Sequence, residues 1–123
     1  MAFLMHNPNP KSARVGDCVV RAISIATGKS WDSVYALLAV KGYEMCDMPS
    51  SNAVWARCLE EEGFDRHIIN SCCYSVRDFC LDHPKGTYVL GTGSHAVAVI
   101  DGNYIDAWDS GDEVPIYYFE RRR

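Results

Sequence analysis

Apolar residues recur at helical spacing from residue 17 to about residue 83, and after Gly86 they alternate with a period of two. Asp17 offers an N-cap, and Cys18-Val-Val-Arg-Ala-Ile-Ser-Ile-Ala-Thr predicts a first helix beginning at Cys18, with Val19, Ala22, Ile23 and Ala26 on one stripe and Gly28 at the stop. Ser30 caps a second helix through about Val40, with Trp31, Val34, Tyr35 and Leu38 inward and Gly42 as its terminator. Ser51 starts a third helix that buries Val54, Trp55, Cys58 and Leu59, turns Glu60, Glu61 and Glu62 to solvent, and ends at Gly63. Phe64 to Ile69 reads as a short strand, and Ser75 caps a short helix from Val76 to Leu81 that Pro84 stops. Strands follow at Thr87 to Leu90, His95 to Ile100, Tyr104 to Trp108 and Val114 to Phe119. The opening Asn7-Pro8-Asn9-Pro10 is extended, because each proline biases its predecessor away from helix. Helices first and strands last predict an α+β fold, with N-terminal helices packed on a C-terminal antiparallel sheet. The length of 123 residues suits a single domain spanning 1–123.

Composition narrows the function. Twelve Lys and Arg against 16 Asp and Glu give a net charge of −4, which argues against a dedicated nucleic-acid binder. Apolar residues make up 48%, enough for a packed core and too many for a disordered chain. No run is long enough to span a bilayer, and the start of the chain does not read as a signal peptide, so a cytoplasmic protein without membrane partners is expected. The cysteines at 18, 46, 58, 72, 73 and 80 contain no C-x2-C pair. A zinc set of Cys72, Cys73, Cys80 and His83 fits no common structural-zinc spacing, so free thiols are expected and no metal or cofactor.

The chemistry sits around one hairpin. Asp101-Gly102 between two alternating runs is a strong signal for a two-residue turn. That turn sets Ile100 opposite Asn103, Val99 opposite Tyr104 and Val97 opposite Asp106, with His95 facing Trp108. His95 and Asp106 then share a face as diagonal neighbours, about 7 Å apart at the backbone and within side-chain reach. A carboxylate beside an imidazole fixes its tautomer and stabilises its protonated form. The nucleophile this pair calls for is Cys18, because the positive end of a helix dipole favours thiolate. The Gly91-Thr92-Gly93-Ser94 segment before His95 could line a cleft or simply connect two strands.

Ser94-His-Ala-Val-Ala-Val-Ile, a turn, and Tyr104-Ile-Asp-Ala-Trp-Asp-Ser110 resemble the histidine strand and the asparagine-x-tryptophan strand of papain-like cysteine peptidases. The resemblance implies a minimal papain-like fold in which Cys18 is the nucleophile, His95 the general base, Asp106 the orienting residue and Trp108 the shield over the His–acid contact. Similar Cys–His–Asp sets occur in the bacteriocin-leader-processing and NlpC-type branches of that clan. The series NPNPKSARVGDCVVRA with HAVAVIDGNYIDAWDS is also similar to small phage or bacterial papain-fold proteins. The family's oxyanion-hole glutamine falls on Ser12, so the side-chain amide is expected from Asn9 or Asn7, with Asn9 preferred. Asp17 could serve there only if protonated, which leaves it the role of helix cap. The implied function is a cysteine peptidase or amidase acting on a peptide or protein through a thioester. A papain-fold binding or inhibitor protein without turnover, and an acyltransferase with the same triad, stand as alternatives.

Overall fold

A computed structural model describes residues 2–123. The fold is α+β, built from four helices and a six-stranded mixed sheet. In chain order the elements are β1 (Phe3–Met5), α1 (Cys18–Thr27), α2 (Trp31–Glu44), α3 (Asn52–Glu61), β2 (Phe64–Ile68), α4 (Val76–Asp82), β3 (Thr87–Gly91), β4 (Ala96–Ile100), β5 (Asn103–Asp106) and β6 (Tyr117–Arg121). The strand order is β1-β5-β4-β3-β6-β2, with β1 parallel to β5 and every other pairing antiparallel. The sheet is therefore neither confined to the last third of the chain nor purely antiparallel, because β1 and β2 close its two edges. Among the described residues, no helix is long and apolar enough to cross a membrane.

Both faces of the central strands are covered, which explains why β4 reads Ala-Val-Ala-Val-Ile with almost no polar break. Ala96 and Ala98 face the α1–α3 layer together with Val89, Tyr117 and Phe119, whereas Val97 and Val99 face α4 with Tyr88, Leu90 and Tyr104. The small residues on one side of β4 let α1 lie close across it, and that crossing sets the first turn of α1 at the start of β4.

The β4–β5 turn has φ of 49° at Asp101 and 78° at Gly102, the double positive φ of a type I′ hairpin. Ile100 pairs with Asn103, Val99 with Tyr104 and Ala98 with Ile105, the register that the turn residues predict. Other boundaries differ from the sequence reading for identifiable reasons. The strand carrying the histidine begins at Ala96, since Thr92 and His95 close a tight turn through the Thr92 N–H to His95 carbonyl bond (2.9 Å). β5 stops at Asp106, where the Ala107 N–H turns back to the Asp106 side chain (2.8 Å), so Trp108 lies beyond the ladder and not across from His95. The last strand starts at Tyr117 rather than Val114, because Pro115 has no N–H to give a ladder. Gly42 does not end α2: a Cβ there would stand 2.9 Å from the Asp47 carbonyl, so glycine admits the chain that folds back over the helix, which runs on to Glu44. The short edge strand β1 was not expected; its pairing with β5 is non-local and two of its three residues are exposed.

Candidate active site

The site assembles where α1, β4 and β5 meet. Cys18 is the first residue of α1, and Gly28, at φ 77°, closes that helix through its N–H to the Ser24 carbonyl. His95 is fixed just before β4, its own N–H donating to Thr92 Oγ1 (3.0 Å). Asp106 is the last residue of β5, and His95 Nε2 donates to its Oδ2 at 2.7 Å. With Nε2 engaged, Nδ1 is the ring nitrogen left over, and the Cys18 thiol lies close enough to His95 and to the Ala96 N–H for both to lower its pKa. The structure thus brings Cys18, His95 and Asp106 together from three separate stretches of chain.

The electrostatics follow from these contacts. Burial raises the pKa of Cys18, but the His95 hydrogen bond, the Ala96 N–H and the charges of His95 and Arg21 outweigh it, leaving the thiol below its ordinary value. Burial likewise opposes charge on His95, yet the Asp106 and Cys18 contacts push its pKa up to about 9. Burial also acts against the Asp106 carboxylate, and hydrogen bonds from His95, Ser110 and the Ala107 N–H more than offset it, so the acid stays below the usual carboxylate range. Each partner holds the other in its charged form: carboxylate, imidazolium and thiolate. The remaining thiols differ. Cys58 and Cys80 are buried, and desolvation pushes each up to about 11, while Cys46, Cys72 and Cys73 are exposed.

Trp108 packs against His95 in a tilted arrangement, ring centroids 4.9 Å apart and planes 43° from parallel, and is itself 45% exposed, so it covers the imidazole from the solvent side. Cys18 and His95 open onto a cavity of about 650 Å³ whose far wall is apolar, formed by Trp31, Tyr35, Leu38, Met48 and Trp55. Gly93 and Ser94 also line it, so the Gly-rich segment does border the cleft.

Asn9 lines the same cavity and is buried; its Nδ2 donates to Asp17 Oδ2 at 3.2 Å, and its Oδ1 accepts the N–H groups of Lys11 (2.9 Å) and Ala13 (3.3 Å). Asn7 is not among the residues around the cavity, because its amide is spent on the Ala13 carbonyl (3.1 Å) and the Asn9 N–H (3.1 Å). Asp17 precedes α1 but does not cap it with its side chain. Its carboxylate instead pairs with Arg21 and accepts from the Trp31 indole N–H (2.9 Å) and from Asn9, donors that outcompete the local backbone.

Two participants escaped the sequence reading. Ser110 is fully buried and donates to Asp106 Oδ2 at 2.7 Å. Arg21 is buried between Asp17 and Asp106. A signal for Arg21 was present: a lone cation three residues after Cys18 and four after Asp17, inside an otherwise uncharged helix. Comparison with known proteins returned no matching family model, no matching curated protein and no matching solved structure.

Proposed function

We propose that this protein is a cysteine-dependent hydrolase of the papain-like type, a peptidase or amidase that works through a thioester acyl-enzyme. The observation that carries the reading is the 2.7 Å His95–Asp106 bond in a cleft that His95 lines together with Cys18, whose thiol pKa His95 helps to lower. The Cys18 thiolate attacks the substrate carbonyl carbon, forming a C–S bond while the carbonyl π pair moves to oxygen. The backbone N–H of Cys18, at the unsatisfied end of α1, faces that developing charge, and the second hydrogen of the Asn9 amide is the side-chain candidate to join it. Collapse breaks the C–N bond as the His95 imidazolium gives its proton to the leaving amine. Neutral His95 then takes a proton from water, whose oxygen attacks the thioester, releasing the acid and restoring thiolate and imidazolium. An acyltransferase would differ only in using an amine at that last step. A binding protein without turnover is the competing reading, favoured by Asn9 having one amide hydrogen committed to Asp17.

The test is iodoacetamide labelling near pH 6, read by peptide mass spectrometry across all six thiols. Half-buried Cys18 is expected to label faster than exposed Cys46, Cys72 and Cys73, because only a thiolate reacts and the lowered pKa of Cys18 favours its thiolate. Cys18→Ala should remove the fast site and abolish release of product from peptide and amide substrates, assayed with and without an added amine. Labelling of Cys18 no faster than Cys46 overturns the reading.

A further inference from the structure

Arg21 is 6% exposed, one turn beyond Cys18 on α1. A buried guanidinium is costly unless its charge and donors are matched. Its Nη1 is paired with Asp17 Oδ1 and its Nη2 with Asp106 Oδ1 at 3.3 Å, while Nε is buried without a partner. Arg21 is therefore held only through its two terminal nitrogens, each on a different carboxylate.

The division of oxygens is the informative part. Asp106 gives Oδ1 to Arg21 and to the Ala107 N–H, and Oδ2 to His95 and Ser110. Asp17 gives Oδ1 to Arg21, and Oδ2 to Asn9 and Trp31. Each acid therefore offers one oxygen to the same guanidinium and the other to a side chain that lines the cleft, His95 on one side and Asn9 on the other. A planar fork with fixed donor directions can hold two carboxylates in one frame, which a point-charge ammonium cannot.

We propose that Arg21 is the positioning residue of this site, coupling the orientation of His95, through Asp106, to that of Asn9, through Asp17. The inference rests on the cysteine-hydrolase reading of the same residues. The charged and titratable groups that Arg21 meets are Asp17, which precedes its own helix, and Asp106 from β5, with Cys18 and His95 one contact further; Asn9 of the N-terminal segment and Trp31 of α2 are neutral.

The experiment compares wild type with Arg21→Gln, Arg21→Lys and Asp17→Asn, each checked for folding by circular dichroism and melting. Two readouts are taken: the pH profile of Cys18 alkylation by iodoacetamide, and kcat and KM on an amide substrate that wild type cleaves. Arg21→Gln should move the acid limb of alkylation upward, because a cation beside the thiolate is gone, and lower kcat by about 10²-fold through misplacement of the reacting groups. Arg21→Lys should return the acid limb toward wild type through its charge while leaving kcat low, since one ammonium cannot grip both acids. Asp17→Asn keeps the Arg21–Asp106 pair, and a carboxamide can satisfy only one of its two ends there. It should lower kcat with KM little changed, and leave the acid limb at or below its wild-type position. A folded Arg21→Gln with wild-type limb and kcat overturns the inference, and should that variant not fold, an unchanged kcat in Asp17→Asn does so. If wild-type Cys18 shows no accelerated alkylation, the hydrolase reading falls and the inference with it; fast wild-type alkylation with unperturbed variants removes the inference alone.

Discussion

Replacing Asp106 with asparagine changes one atom and gives a result opposite to the one the papain resemblance suggests, since that family uses an asparagine in this role. The carboxylate of Asp106 accepts from four donors: Ala107 N–H (2.8 Å) and Arg21 Nη2 (3.3 Å) on Oδ1, and His95 Nε2 (2.7 Å) and Ser110 Oγ (2.7 Å) on Oδ2. A carboxamide has one accepting end. The backbone N–H and the guanidinium cannot become acceptors, whereas a hydroxyl can rotate and an imidazole can change tautomer. The amide oxygen therefore settles toward Ala107 and Arg21, and its NH2 group faces His95. Nε2 must then accept, which moves the ring proton to Nδ1 and leaves His95 no free base for the thiol.

The direction follows from the perturbed pKa of both partners. With the carboxylate gone, burial is left to drive the His95 pKa down from about 9, and Cys18 loses its cationic neighbour. Full return of the thiol to its ordinary 9.0 leaves about one thiolate in a hundred near neutral pH. The more basic thiolate is the better nucleophile, which offsets only part of that loss. Alkylation of Cys18 should thus slow near neutral pH, and turnover, which also needs the base, should fall by about 10²-fold or more. Stopped-flow or timed alkylation with mass-spectrometric readout measures the first, amide cleavage the second, and a melting curve certifies the fold. A folded Asp106→Asn that alkylates and turns over like wild type refutes the argument from donor count.

Three further outcomes follow from the same geometry. Turnover should be bell-shaped in pH: it rises as Cys18 ionises below its ordinary 9.0 and falls as His95 loses its proton through about 9, whereas a monotonic rise through that pH contradicts the thiolate–imidazolium pair. Trp108→Ala should cost only about 1 kcal/mol by thermal melting, the scale of one aromatic contact, because the residue is 45% exposed; activity should fall further than stability as water reaches the His95–Asp106 bond. Gly91→Ala places a Cβ 2.6 Å from the Tyr117 ring at the end of the strand that leads to His95, so stability should drop by about 1–3 kcal/mol in urea titration.

Some of this architecture is written locally in the residues. The start of α1 at Cys18 and its end at Gly28 come from a helical stripe bounded by a left-handed glycine. The β4–β5 register comes from Asp101 and Gly102, residue types that tolerate two positive φ values in succession, and that register carries His95 to Asp106. Such features depend on neighbours a few positions apart, so a single sequence reveals them. Burial on both sheet faces, by contrast, leaves β4 an apolar run that does not say which residues meet α1 and which meet α4, and a three-residue parallel edge strand such as β1 has no local signature.

The sequence by itself therefore determined the helix that presents the thiol and the hairpin that pairs imidazole with carboxylate. Only the tertiary structure decided that the two meet, because the meeting depends on Ala96 and Ala98 being small enough for α1 to settle across β4. It also decided the part played by Asp17, which from its position alone reads as a helix cap and in the fold is one half of the Arg21 bridge. A cap is defined by backbone a few residues away, and a bridge by an acid 85 residues along the chain from Arg21, a partner that no local spacing specifies.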